Sequence, residues 1–214
     1  PVPSEETMRT MRQLPIEKNP PEHTEYRAIV EPFFQRAKTP AVIEQVAALI
    51  NRILTDALEK ESLEVVREFA LPIQSHALTY LLDVPEEEAE TWVGWGTHVF
   101  HDAETGEKKG VDLDEYLDRR LDQACADPGE DFFSALTRAS FRGRPLTREE
   151  MLGFANLTFA GGRDTVINTI AAIIGYCAGN PQALDFLREN PKRIVNAGEE
   201  FFRTITPLTH IGRV

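Results

Sequence analysis

The stretch FAGGRDTVIN, residues 159–168, lies in the most apolar part of a 214-residue chain, and its reading decides the fold. Around it, apolar residues recur with helical period from the Thr147 region to Gly179-Asn180-Pro181 without a breaker. Within it, Gly161 and Gly162 each weaken a helix interior by roughly 1 kcal/mol relative to alanine, and Arg163 and Asp164 are costly to bury without partners. Helix stability does not explain these residues. The glycines clear side chains from one patch of backbone, leaving room for a flat or bulky ligand. Thr165 lies four residues after Gly161, so its hydroxyl can bond the Gly161 carbonyl and favour a local widening or π-bulge. Asp164 is placed to relay protons and Thr165 to order a water or a bound oxygen species. A plain helix crossing, with Asp164 paired to Arg163 or a neighbour, fits the same residues.

The rest of the chain reads as helix, and the class is mostly α. Thr147 and Glu150 form a capping box that starts a long helix over about residues 148–178, roughly 45 Å at 1.5 Å per residue, apolar on nearly every face. Upstream, Thr39-Pro40 opens an amphipathic helix whose stripe includes Val42, Val46, Leu49, Ile53 and Leu58. The segment 63–85 is a second helix, interrupted at Pro72 and stopped at Pro85. Glu86 to Glu88 begin a third, which carries Trp92, Trp95 and Phe100. A polar, glycine-bearing loop is expected over 101–115, helices over 113–126 and 131–139, then a turn at SFRGRP. Two helices follow, each opened by an Asn-Pro pair.

Composition narrows the function. With 23 basic against 35 acidic residues, the net charge of −12 argues against a nucleic-acid partner and for small molecules or other proteins. Cys125 and Cys177 lie in no CxxC pair, which argues for a reducing, cytoplasmic setting. The apolar run from Val166 to Ala178 is too short to cross a bilayer, which needs about 20 residues, so no membrane association is expected. His98, His101, Asp102 and Glu104 have metal-ligand spacing, but their polar setting favours surface histidines. His76 reads as packed or half-exposed, and His210 as a candidate substrate contact.

Two further motifs accompany the central helix. PPEHTEYR, residues 20–27, starts a helix that projects His23 and Arg27 from one face, a pair of donors suited to a carboxylate or phosphate. EEFFR, residues 199–203, sets Glu200 and Arg203 at i, i+3, and is followed by Pro207 and Arg213.

In this order the three motifs resemble the cytochrome P-450 family of haem-thiolate monooxygenases, in its soluble bacterial type. PPEHTEYR is similar to the family's C helix, AGGRDT to the oxygen-binding groove of its I helix, and EEFFR to the E-x-x-R of its K helix. The resemblance covers essentially all 214 residues, as the central helical part of a single domain from the C-helix region through the K helix into the next strand. It implies haem b (iron protoporphyrin IX) as cofactor, with His23, Arg27 and Arg213 on the propionates and Ala160 and Gly161 against the haem. Asp164 and Thr165 are then the acid and alcohol pair that delivers protons during O–O cleavage. Leu157, Leu208 and Thr209 line the substrate pocket, and Glu200 and Arg203 are structural. The implied reaction inserts one oxygen atom from O2 into a small apolar molecule, with electrons from a ferredoxin or similar donor.

The chain departs from the family in one respect. It has no Phe-x-x-Gly-x-x-x-Cys-x-Gly loop, so the axial thiolate is expected elsewhere in a longer protein, and this chain alone is expected to be inactive. The alternative is a non-catalytic helical fragment or interaction module that does not bind haem.

Overall fold

Start signals in the sequence mark where the helices begin. In the computed structural model, which describes residues 11–97 and 110–207, α1 (Glu22–Phe34) follows Pro20-Pro21 and α2 (Pro40–Leu58) takes Pro40 in its first turn. A π-helical turn at Val66–Ala70 then leads into α3 (Leu71–Leu82). The wide turn comes just ahead of Pro72, which has no N–H to return to the Glu68 carbonyl. The helix ends with Asp83 in the left-handed region at φ 57°.

The chain continues through α4 (Glu88–Gly94), α5 (Gly110–Ala126) and α6 (Phe132–Arg138). Helix α5 starts inside the segment expected to be loop, because Leu113 already belongs to the buried stripe it shares with Tyr116, Leu117 and Leu121. Asp131 caps α6, accepting from the Phe133 and Ser134 amides at 2.9 and 3.2 Å. The expected turn is a small antiparallel hairpin, β1 (Ser140–Phe141) with β2 (Arg144–Pro145), in which Gly143 has φ +79°.

The long helix expected over 148–178 is present as two segments, α7 (Arg148–Gly162) and α8 (Asp164–Gly179), which meet at Arg163. The capping box forms: the Glu150 amide donates to Thr147 Oγ1 at 3.2 Å and the Thr147 amide to Glu150 Oε2 at 2.8 Å. The chain ends its described course in α9 (Pro181–Glu189), a short 3-10 turn, and α10 (Ile194–Ile205).

The core lies around α7. Trp92 of α4, Tyr116 of α5 and Phe159 of α7 meet edge to face, with Trp92–Phe159 at 4.9 Å and Trp92–Tyr116 at 5.9 Å between centroids. Trp95 packs on the same rings, 5.4 Å from Tyr116. At the other end of α7, Tyr26 stacks on Phe141 at 3.9 Å and meets Phe154 at 5.9 Å. The segment before α1 runs across α7 at Gly153, where the Leu14 amide donates to the Gly153 carbonyl at 3.2 Å. A Cβ at that position would sit 2.6 Å from the Arg12 carbonyl oxygen, so only glycine admits the crossing. Nearby, buried Gln13 donates its amide to Asn156 at 2.9 Å.

Burial falls away along the long helix. In α7 every residue from Gly153 to Phe159 except Leu157 is buried, whereas α8 buries only Ile167 and Thr169. Helices α9 and α10 bury none. No helix among the described residues is long and apolar enough to cross a membrane.

Candidate haem-side site

The break between α7 and α8 is held by side chains rather than by the helical ladder. Arg163 takes φ −113° and ψ −82°, outside the helical region. The carbonyls at the end of α7 therefore need other donors. Thr165 Oγ1 supplies one to Gly161 O at 2.9 Å, the bond its spacing predicts. Gln74 Nε2 of α3 supplies another to Gly162 O at 2.9 Å. Beyond the break, the Val166 and Ile167 amides both donate to the Arg163 carbonyl at 3.1 Å, and Thr169 Oγ1 donates to Thr165 O at 2.6 Å. The widening or π-bulge expected at 161–165 thus takes the form of a break at Arg163.

The residues expected at the haem share the open side of this helix pair. Leu157 and Ala160 are half-buried, Gly161 is exposed, and Asp164 and Thr165 are half-buried. Positions 157, 160 and 161 are spaced i, i+3, i+4 on α7, and 164 and 165 open α8 directly after the break. A Cβ placed on Gly161 meets nothing within 4 Å, so the backbone there is accessible to a flat ligand.

Arg163 points the other way. Its side chain is completely buried, and Nη2 donates to the carbonyls of Trp92, at 2.5 Å, and Gly96. Burial pushes its pKa down to about 10, against the opposing pull of the Asp164 charge. The sequence flagged Arg163 as expensive to bury but offered Asp164 as its partner; the carbonyls at the end of α4 were not visible in it. Gln74 carries one sequence signal only, an amide inside the apolar run LPIQSHAL.

The other candidate groups lie on separate elements. His23 is half-buried and Arg27 exposed on α1, where Arg27 Nε donates to Glu31 at 2.7 Å and the guanidinium lies 5.9 Å from the Phe34 ring centre. Helix α1 is fastened to the start of α7 by Tyr26, whose hydroxyl donates to Glu150 at 2.5 Å. Glu200 and Arg203 form a two-bonded pair on the exposed face of α10, at 2.8 and 2.6 Å, and the guanidinium holds the Glu200 carboxyl below its ordinary value. His76 is half-buried and within 3.0 Å of Glu86. Cys125 is exposed and Cys177 half-buried. Leu208, Thr209, Arg213 and His210 lie outside the described residues, as do His98, Phe100, His101, Asp102 and Glu104.

Comparison with known proteins supplies the class. No family model matches the chain. It is 31% identical over 200 residues to a protein named probable cytochrome P450 127A1 from Sinorhizobium fredii, covering 91% of this chain and 48% of that protein. It is 30% identical to the cytochrome P450 monooxygenase PikC of Streptomyces venezuelae, covering 90% and 48%. A solved structure described as that of a carbohydrate active P450 superposes with a TM-score of 0.91 at 48% identity, over 98% of this chain and 54% of that one. The chain belongs to the cytochrome P450 family. It spans about half the length of the curated relatives it matches.

Haem b is the cofactor of that family. The residues of this chain fit one side of it: the backbone at Gly161 is open to a planar group, and α1 presents a histidine and an arginine one turn apart.

Proposed function

We propose that this chain builds the oxygen-side wall and part of the propionate clamp of a haem-dependent monooxygenase, with electrons from a ferredoxin-type donor. The open backbone at the α7–α8 break carries this reading, because Gly161 is exposed there and half-buried Ala160, Asp164 and Thr165 adjoin it. Haem supplies the reductive cleavage of O2, so that R–H, O2, two electrons and two protons become R–OH and water.

The protein's own part is to hold and move protons. Thr165 spends its hydroxyl proton on the Gly161 carbonyl, which leaves its oxygen lone pairs facing the open side as an acceptor for water. Asp164, next in the chain and half-buried, links that water to solvent as a proton relay. His23 and Arg27 hold the propionates, Arg27 exchanging its Glu31 contact for them. Glu200 and Arg203 act as a structural pair. In the complete protein, Arg213 joins the propionate clamp, and Leu157, Leu208 and Thr209 line the substrate pocket.

For the substrate we favour a carbohydrate over the small apolar molecule expected from the sequence, on the 48% identity to a carbohydrate active P450 across nearly the whole chain.

The full-length protein tests this directly. Reduced under carbon monoxide, it shows the red-shifted Soret band of a haem thiolate; its absence overturns the monooxygenase reading in favour of a helical module without haem. Neutral sugars shift the ferric Soret band, whereas a response only to apolar ligands overturns the carbohydrate assignment. Thr165→Ala lowers product formed per electron on the order of tenfold or more.

A further inference from the structure

Arg163 stands between the two groups assigned to proton delivery and a different helix. We infer that it is a positioning residue: its guanidinium fastens the end of α4 to the α7–α8 break, so the placement of Asp164 and Thr165 depends on where α4 ends. For the proton-delivery roles, this inference rests on the function proposed above.

The geometry is that of a helix cap supplied from a distance. The last carbonyls of α4 (Glu88–Gly94) have no partners within their own helix, and they form its negative end. Arg163 Nη2 takes the Trp92 carbonyl of that last turn and the Gly96 carbonyl just beyond it. Gly96, at φ +77°, donates its amide to Val93 O at 2.9 Å, which turns its own carbonyl into reach. A single nitrogen therefore holds both sides of the turn that closes α4.

The same residue supplies the break. With φ −113° and ψ −82°, its backbone aims the side chain into the core while Gly161 and Thr165 face the open side. Its carbonyl accepts the Val166 and Ile167 amides in the first turn of α8. A shift of the α4 end thus pulls on the residue that sets the start of α8, one position before Asp164 and two before Thr165. The Thr165–Gly161 hydrogen bond bridges that same break and moves with it.

The cost of this arrangement argues that it is retained for something other than stability. Nε and Nη1 of Arg163 have no hydrogen-bond partner among the described residues, in a side chain with no exposed surface. Each buried unsatisfied donor is unfavourable, and an apolar side chain would fill the same volume without that penalty. What leucine or methionine cannot do is grip carbonyl oxygens on another helix.

The test uses the full-length haem protein with Arg163→Met and Arg163→Lys, read by amide deuterium exchange and by product yield per electron. In Arg163→Met the carbon monoxide band persists, exchange rises about tenfold in both 93–97 and 164–167, and coupling falls about tenfold. Arg163→Lys, which keeps a cation without the planar fork, falls between wild type and Arg163→Met on both readouts. Faster exchange confined to 93–97 with wild-type coupling overturns the inference, leaving Arg163 as a local cap of α4. Should Arg163→Met fail to fold, the Lys variant decides on the same two readouts. Absence of the carbon monoxide band in the wild type defeats the proposed function instead, and joint exchange in the two segments still decides the physical tie.

Discussion

Glu150 shows how one side chain can serve several structures. Its carboxylate closes the capping box of α7, takes Arg144 of β2 at 2.7 and 2.8 Å, and accepts from Tyr26 of α1. Arg144, then Tyr26 and the Thr147 amide, hold its pKa down at about 2 from an ordinary 4.5, while burial and the neighbouring carboxylate push the Tyr26 hydroxyl up to about 12. A carboxyl depressed in the folded state stabilises it fully above its unfolded pKa and loses that effect as pH falls through the folded value. Stability of the full-length protein should therefore fall between about pH 4.5 and pH 2, and Glu150→Gln should flatten that part of the profile in thermal melts. At neutral pH, with the charge partly screened by solvent, the substitution should cost about 1 kcal/mol, or roughly 3 °C in Tm. The Thr147–Glu150 pair was legible from its spacing alone. Tyr26 and Arg144 were not, because they reach Glu150 from elements 124 and 6 residues away in sequence, and no local pattern encodes that meeting.

Among the elements, the helix over 148–178 shows both what periodicity reveals and what it conceals. Its start, length and apolar character follow from the sequence, and Thr147→Ala should remove one cap bond at a cost of about 1 kcal/mol in chemical unfolding. The break at Arg163 does not follow, since arginine is a good helix former by intrinsic propensity. Partners on other helices decide it: the Trp92 and Gly96 carbonyls draw the side chain inward, and Gln74 satisfies Gly162. The polar notch was visible as a cost in the sequence, with the Thr165–Gly161 bond its one legible contact. The same limit applies at α5, where a glycine and polar neighbours suggested loop and the periodic stripe began inside them.

For the molecule as a whole, the distribution of apolar surface is uneven. The aromatic core is closed around α4, α5, α6 and α7, while Val166 and Tyr176 of α8, Phe186 of α9, and Ile194, Val195 and Phe202 of α10 are exposed. Val195 is 78% exposed and Phe202 57%, on a strongly amphipathic helix. Exposed apolar side chains in such number bind dyes and drive association. The 214-residue chain by itself should enhance 1-anilinonaphthalene-8-sulfonate fluorescence and associate with rising concentration in sedimentation. Val195→Glu with Phe202→Glu should reduce both; unchanged dye binding would place the sticky surface elsewhere.

The crossing at Gly153 also has a consequence in time. Leu14, Gln13 and Tyr26 find their partners on Gly153, Asn156 and Glu150, more than 120 residues later in the chain. Such contacts close very large loops, and loops of that size slow the search for the native state. On a ribosome, the first described segment and α1 must wait until the start of the long helix has emerged, so α1 is among the last of the described helices to lock onto its partners.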